Sequence, residues 1–138
     1  MSLCLYGSAR SRTQRVLWVL TELDLDFEHR PYEFDDSFLK SPGFLALNPA
    51  GTIPVLVDDG FALPESLAIT TYLVDRYDSH EIFGSNDVSS RATALRWTLW
   101  AQAALEPWVQ RDADVRAALS PVSESVYPLV QRALETLE

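Results

Sequence analysis

Residues 48–66, which read NPAGTIPVLVDDGFALPES, constrain the fold more than any other stretch of the chain. The tripeptides VLV and FAL within it have the apolar character of two short strands. Asp59 and Gly60 between them favour a tight hairpin turn, because both residues tolerate positive φ. Ser66 then stands in the N-cap position of an apolar-periodic helix. The stretch therefore predicts two antiparallel strands followed directly by a helix.

The same stretch offers three kinds of group that would hold a small peptide. Ile53 precedes Pro54, which favours extended geometry, so the Ile53 backbone can pair with a ligand as with an added strand. The helix that begins near Ser66 presents N–H groups and a hydroxyl, which suit a carboxylate. Glu65 places a negative charge beside them, which suits an ammonium. These residues indicate a site for a zwitterionic peptide, although an ordinary hairpin with an ordinary N-cap would also explain them.

The residues before this stretch predict a strand and a helix. Residues 3–6 form a short apolar run, which is typical of a buried strand. After Ser11, the apolar residues include Val16, Trp18 and Val19 and cover most sides of the predicted helix. We therefore expect this helix to be packed on both flanks.

Two further elements complete the predicted first domain. Residues 27–34 predict a second strand, which Pro31 places at a sheet edge. Pro42 begins a short helix, because proline suits the first helical position, and Pro49 ends it. Combined with the hairpin, these elements predict an α/β domain in which helices cover a mixed four-stranded sheet.

The chain changes character after this domain. The polar stretch at residues 78–88 predicts a linker between a domain at residues 1–77 and a helical part at residues 89–138. One helix is indicated by a stripe of apolar side chains at helical spacing, with Pro107 expected to end or kink it: Ala94, Trp97, Ala101, Ala104 and Trp108. A last helix is indicated by the stripe Val122, Val126, Leu129, Ala133 and Leu137.

Charge and composition exclude several classes of partner. The formal net charge is −9, which argues against nucleic acid and anionic membranes, since both require a basic face. No apolar run approaches the length of about 18 residues that a membrane span requires. Cys4 is the single cysteine and His29 and His80 are the only histidines, so we expect no internal disulfide and no metal site. A cytoplasmic location is the expectation that follows.

Three runs of the sequence together resemble a glutathione transferase. They read YGSARSRTQRVLWVLTELDL, NPAGTIPVLVDDGFALPESLAITTYLVDRY and ALRWTLWAQAALEPW. The resemblance is nearest to the bacterial and theta/phi-like members that use a serine. It implies a thioredoxin-like domain over about residues 1–77, a cis bond between Ile53 and Pro54, and an all-helical domain after the linker. Because the chain ends at Glu138, the resemblance implies that this helical domain is partial.

The resemblance also implies roles for individual residues. Ser11 would be the catalytic hydroxyl and would donate a hydrogen bond to the sulfur of glutathione. Glutathione itself would be bound by a set of six residues: Lys40, Thr52, Ile53, Pro54, Glu65 and Ser66. Two alternatives remain open, since Tyr6 could activate the thiol in place of Ser11, and Ser11 could simply cap the helix, as Ser8 or Thr13 also could.

The activity implied is the conjugation of glutathione, as a thiolate, to a small electrophile by a homodimer that contains no metal. Isomerisation, dehalogenation and ether cleavage use the same bound thiolate and are not distinguished by these residues. A different class of function is a glutathione-transferase-fold module that serves binding or assembly. The shortened helical domain favours that alternative.

Overall fold

The computed structural model describes residues 2–78 and 87–107. The chain divides into two compact units, residues 1–83 and 84–138, which are treated separately below. The predicted helix through Val122 and Leu137, and Trp108 in the preceding stripe, lie outside the described residues. Among the described residues, no helix is long and apolar enough to cross a membrane.

The first unit contains four strands, three α-helices and a short 3₁₀ helix. In chain order these are β1 (Leu3–Tyr6), α1 (Thr13–Glu22), β2 (Glu28–Arg30), the 3₁₀ helix Ser37–Lys40, α2 (Pro42–Leu47), β3 (Val55–Asp58), β4 (Phe61–Pro64) and α3 (Ser66–Tyr77). The helix begun by Pro42 and the hairpin at Asp59 and Gly60 are therefore present as predicted.

The four strands form one mixed sheet in the order β2-β1-β3-β4. β1 pairs with β2 in parallel, with Leu5 opposite His29, and pairs with β3 antiparallel, with Leu5 opposite Leu56. β3 and β4 form the antiparallel hairpin. Pro31 follows β2 directly, and β2 lies at the sheet edge, as predicted. The predicted fold class, a thioredoxin-like α/β domain with a mixed four-stranded sheet, is confirmed.

The side chains of β1 alternate between two cores, because successive residues of a strand point to opposite faces of the sheet. Leu3 and Leu5 pack in one buried cluster with residues of α1 and α3. Cys4 and Tyr6 pack in a second cluster, which contains Phe44 of α2. The sheet therefore has α1 and α3 on one face and α2 on the other.

The prediction that α1 is packed on both flanks is wrong. Its buried residues are Thr13, Val16, Val19 and Leu20, which lie on one face. Trp18 is 61% exposed, and its indole N–H donates to the Glu22 carboxylate one turn later. The alignment of apolar residues along the sequence could not show that the sheet and α3 contact this helix from one side only.

In the second unit, α4 (Val88–Trp100) is followed by a π-helical turn at Ala101–Leu105. Asp87 caps α4 by accepting hydrogen bonds from the backbone N–H groups of Ser89 and Ser90. The α-helical pattern is thus interrupted by the π-helical turn and resumes at residues 106–107, so within the described residues the helix does not end before Pro107. None of the side chains of α4 is buried, and Leu95 and Leu99 are about half exposed, at 50% and 51%.

Candidate functional site

The loop between β1 and α1 carries Ser11 and is held by its own polar groups. Ser11 Oγ donates to the backbone carbonyl of Ser8 over 2.7 Å and accepts from the N–H of Thr13 over 3.1 Å. The N-cap position of α1 is occupied by Arg12, whose side chain makes no capping hydrogen bond. Ser11 is therefore not the N-cap residue, and its half-buried hydroxyl lies just before the helix.

The edge strand β2 and the residues after it hold this loop from the other side. The N–H of Gly7 donates to the Arg30 carbonyl over 2.9 Å. His29 Nε2 lies 2.8 Å from the Gly7 carbonyl oxygen and donates to it. The Ser8 hydroxyl donates to Glu33 over 2.9 Å. Hydrogen bonds to the N–H and the carbonyl of Gly7 and from the Ser8 hydroxyl thus hold the main chain that precedes Ser11.

Gly7 brings this loop against the start of β3. A Cβ atom at Gly7 would lie 3.1 Å from the Cβ of Ile53 and 2.2 Å from Oγ1 of Thr13. Ile53 is buried, and the bond between it and Pro54 is cis, as the resemblance implied. The structure therefore places Ile53 and the Ser11 loop side by side, although they are about forty residues apart in sequence.

Asn48 holds Thr52, the residue before Ile53, and was not among the residues predicted for the site. Its side-chain amide donates to both the carbonyl and the hydroxyl of Thr52, over 2.8 and 3.1 Å. Its amide oxygen accepts from the N–H of Ala50. Asn48 is 3% exposed, so this buried amide has its hydrogen bonds satisfied by the turn it stabilises. The signal in the sequence was an asparagine directly before Pro49, where only the end of α2 was predicted.

The start of α3 differs from the prediction. Glu65, and not Ser66, is the N-cap residue, and Ser66 is the first residue of the helix. Glu65 has a φ of +74° and makes no capping hydrogen bond, while its side chain is exposed. Positive φ at a non-glycine residue is unusual and persists where surrounding structure imposes it. The tight connection from β4 into α3 decides this geometry, which no residue pattern revealed.

Arg15 is a second residue that the sequence analysis missed. It projects from the first turn of α1, and its Nη1 donates to Ser66 Oγ over 3.4 Å. Ser66 is buried at 3% exposure, so the guanidinium adds a positive charge beside a buried hydroxyl at the N-terminus of α3. Arg15 is the only basic residue of α1, and this was the signal available in the sequence.

Lys40 is exposed at the end of the 3₁₀ helix, and no contact joins its ammonium to the other candidate residues. The preceding residue, Leu39, is buried at 2% exposure. A Cβ at Gly51, whose φ is +62°, would lie 3.1 Å from the Leu39 carbonyl oxygen. The main chain next to Lys40 therefore packs on the turn that leads to Thr52.

Tyr6, the alternative activating residue, lies on the opposite face of the sheet from α1. Its ring packs near Phe38 and Phe44, with centroid distances of 6.3 and 5.8 Å. Its hydroxyl accepts a hydrogen bond from Arg30 over 2.9 Å. Burial raises the pKa of this hydroxyl above its ordinary value. Tyr6 thus belongs to the core cluster that contains Phe44 of α2, and Ile53 lies in the same cluster.

The sheet order and the cis bond before Pro54 define the class of protein. A mixed sheet of order β2-β1-β3-β4, with helices on both faces and a cis-proline before β3, is a thioredoxin-like domain. Residues 5–81 match the model of the glutathione S-transferase N-terminal domain. The chain belongs to the glutathione S-transferase family.

Individual relatives agree with this assignment. Glutathione S-transferase 3 of Zea mays is 41% identical over 99 residues, which cover 71% of this chain and 43% of that protein. A delta-class glutathione transferase of Nilaparvata lugens superimposes with a TM-score of 0.86 at 26% identity, covering 98% of this chain and 64% of that one. The transferase URE2P6 of Phanerochaete chrysosporium, solved with oxidized glutathione, superimposes with a TM-score of 0.80 at 27% identity, covering 99% and 66%. The chain thus spans less than half the length of the Zea mays relative.

Among residues 2–78 and 87–107, no group of three His, Cys, Asp or Glu side chains lies where it could hold a metal ion.

Proposed function

We propose that this chain binds glutathione, stabilises its thiolate through Ser11 and adds it to a small electrophile. The observation that carries the proposal is that Gly7 lies against both Ile53 and Thr13, so the Ser11 loop and the start of β3 are neighbours. Its support is this arrangement, the family membership and the solved relative that contains oxidized glutathione. The same proposal includes a theta/phi-like, serine-type transferase that is a cytoplasmic homodimer. Its domains comprise residues 1–77 and 89–138, joined by a linker at residues 78–88.

Each part of the peptide has a candidate partner. The backbone of Ile53 pairs with the cysteinyl residue as an added strand, and Pro54 and Thr52 flank it. The exposed carboxylate of Glu65 binds the ammonium of the γ-glutamyl residue, while Ser66 binds its carboxylate at the N-terminus of α3. Arg15 adds a positive charge beside Ser66, which suits that carboxylate.

The remaining two residues act at the glycyl end of the peptide and at the sulfur of its central residue. Lys40, exposed at the end of the 3₁₀ helix, is the basic residue for the glycyl carboxylate. Ser11 donates to the cysteinyl sulfur. An ordinary thiol has a pKa of about 8.5, and each unit of depression corresponds to about 1.36 kcal/mol. One hydrogen bond from Ser11 and the nearby N-terminus of α1 can together supply about two units.

The peptide site is tested with Glu65→Gln, which removes the charge and keeps the shape. We expect glutathione to bind more weakly by about 1–3 kcal/mol, since a hydrogen bond to a charged group is lost. Calorimetric titration measures this. Asp24→Asn is a matched control, because Asp24 is also an exposed acidic residue with positive φ, at +51°. Equal affinity of wild type and Glu65→Gln would refute the role of Glu65.

The activating hydroxyl is tested with Ser11→Ala and Tyr6→Phe. Ser11→Ala should raise the pKa of the bound thiol by about 1–2 units from about 6.5 and slow conjugation to an aryl halide near pH 7 by about 3- to 25-fold, which is the fall in the thiolate fraction. Tyr6→Phe should leave both unchanged, because its hydroxyl is bonded to Arg30. The ultraviolet absorbance of the thiolate, followed against pH, measures the pKa. A large effect of Tyr6→Phe with none for Ser11→Ala would reverse the assignment.

The same measurements distinguish the alternative class of function. Affinity for glutathione with an ordinary thiol pKa and no conjugation would identify a binding or assembly module. If conjugation is absent but isomerase, dehalogenase or etherase activity is present, the chain catalyses a different reaction of the same thiolate.

A further inference from the structure

We propose that Thr13 is a positioning residue that commits the Ser11 hydroxyl to donating its hydrogen bond, and this rests on the proposed function above. Thr13 is the first residue of α1 and is fully buried. Its hydroxyl oxygen is 2.7 Å from Ser11 Oγ. Its backbone N–H donates to the same Ser11 oxygen over 3.1 Å. Two polar groups of Thr13 therefore contact the one oxygen that acts on the sulfur.

The direction of the bond between the two hydroxyls follows from where their protons go. Ser11 has one hydroxyl proton and donates it to the Ser8 carbonyl oxygen, 2.7 Å away. The hydroxyl of Thr13 is buried, and a buried hydroxyl that donates to nothing is costly. Ser11 Oγ is the acceptor that the described part of the structure places within its reach. Thr13 therefore donates to Ser11, and both lone pairs of Ser11 Oγ are occupied.

This arrangement decides what Ser11 can offer a ligand. With its lone pairs occupied, Ser11 can only donate, and a thiolate is a much better acceptor than a thiol. The ionised form of bound glutathione is therefore favoured, and the thiol proton leaves to solvent. The two bonds that Ser11 Oγ accepts also polarise its O–H group, which strengthens the bond it donates. On binding, this O–H group turns from the Ser8 carbonyl to the sulfur while both bonds from Thr13 persist.

Gly7 provides the space that the Thr13 hydroxyl occupies. A Cβ at position 7 would lie only 2.2 Å from Thr13 Oγ1. Because Gly7 also touches Ile53, the Thr13 hydroxyl lies at the junction of the Ser11 loop and the strand-pairing residue. The Thr13 hydroxyl therefore lies next to both the Ser11 loop and Ile53, whereas a hydroxyl that only caps a helix would need neither neighbour.

The test is Thr13→Val in the full 138-residue chain, which removes the hydroxyl and keeps the side-chain shape and the backbone N–H. We expect the pKa of the bound thiol to rise by about 0.5–1 unit, which is the effect of losing one neutral hydrogen bond. Conjugation to an aryl halide should slow by about 1.5- to threefold near pH 7, as the thiolate fraction falls, and recover at high pH. Affinity for S-methylglutathione, which has no ionisable thiol, should stay within about twofold of the wild-type value. Thr13→Ser should restore the wild-type pKa.

Thr21→Val is the matched control, because Thr21 is on the same helix and donates to the Leu17 carbonyl on its exposed side. It should leave the thiol pKa unchanged. An unchanged pKa in Thr13→Val, with a raised one in Ser11→Ala, would overturn the role of Thr13 and leave the proposed function intact. An equal rise in Thr13→Ser and Thr13→Val would also overturn it, since Thr13→Ser keeps the hydroxyl and the effect would then not depend on that group. A wild-type chain that does not lower the thiol pKa would overturn the proposed function and this inference together.

Discussion

We expect Gly7→Ala to lower the free energy of unfolding by about 2–4 kcal/mol. Two costs add in this substitution. The φ of Gly7 is +137°, a backbone conformation that an L side chain rarely adopts. The new methyl group would also lie 2.2 Å from Thr13 Oγ1 and 3.1 Å from the Ile53 Cβ, in a fully packed region. Urea unfolding followed by tryptophan fluorescence measures the loss.

Two other glycines separate these costs. Gly60 has a φ of +92° with no atom within 4 Å of its would-be Cβ, so Gly60→Ala should show the backbone cost alone, about 1–2 kcal/mol. Gly43 in α2 has open space and no positive φ, so Gly43→Ala should be neutral or stabilise by up to about 1 kcal/mol. If Gly7→Ala lowers the free energy of unfolding no more than Gly60→Ala does, a Cβ at Gly7 does not clash with Thr13 Oγ1.

The second large effect is expected at Asp58, a buried carboxylate at the end of β3. Its Oδ2 accepts hydrogen bonds from the hydroxyls of Tyr72 and Tyr77, over 2.7 and 2.6 Å, and lies 3.1 Å from Arg76 Nε. The Asp58 side chain is 1% exposed, and these bonds join the hairpin to α3. Asp58→Ala should lower the free energy of unfolding by about 3–5 kcal/mol, because two hydroxyls and a guanidinium lose their common acceptor. Asp59→Asn, at the exposed neighbouring residue, should change it by less than about 1 kcal/mol.

Asp58 also predicts the acid dependence of stability. Burial by itself raises the pKa of Asp58, but the hydrogen bonds from Tyr77 and Tyr72 and the charge of Arg76 outweigh it, so the pKa is lowered. A carboxyl whose pKa is lower in the folded state stabilises the fold above its unfolded pKa of about 3.9. That stabilisation is lost as the pH falls through the folded pKa. Unfolding measured between pH 6 and about pH 3 should therefore be less pH-dependent in Asp58→Asn than in wild type, and equal slopes would contradict this.

The strands, the hairpin and α2 could be predicted because their signals lie between neighbours in the chain, whereas the 3₁₀ helix Ser37–Lys40 was not predicted. Asp59 and Gly60 adopt the positive φ that a tight turn requires, at +45° and +92°. Ser41 caps α2 by accepting from the N–H of Phe44, and Pro42 follows it at the first helical position. Pro31 ends the edge strand because it lacks an N–H to continue the ladder. In each case one residue's own chemistry limits the backbone, whatever the rest of the chain does.

The sequence predicted less well those features that depend on what surrounds a side chain in the fold. Trp18 was expected to be packed because its neighbours are apolar, yet this side chain is 61% exposed and its indole N–H donates to Glu22 on the same helix. The N-cap of α3 was assigned to Ser66 because serine is a frequent N-cap. The connection from β4 instead places Glu65 there, with a φ of +74°. Propensity describes the average environment of a residue type, and both positions depart from that average.

The sequence by itself therefore determined the order of the strands and α-helices of the first unit, the turn residues and the short stretch that contains Ile53, Glu65 and Ser66. Only the tertiary structure decided which distant groups meet there. His29 reaches Gly7, Asn48 holds Thr52, and Arg15 reaches Ser66 across 51 residues of chain. The physical reason is that a turn or a cap depends on a few adjacent dihedral angles, whereas a hydrogen bond between separate elements depends on how the sheet and helices pack. No pattern along the chain specifies that packing to within the few tenths of an ångström that such a bond requires.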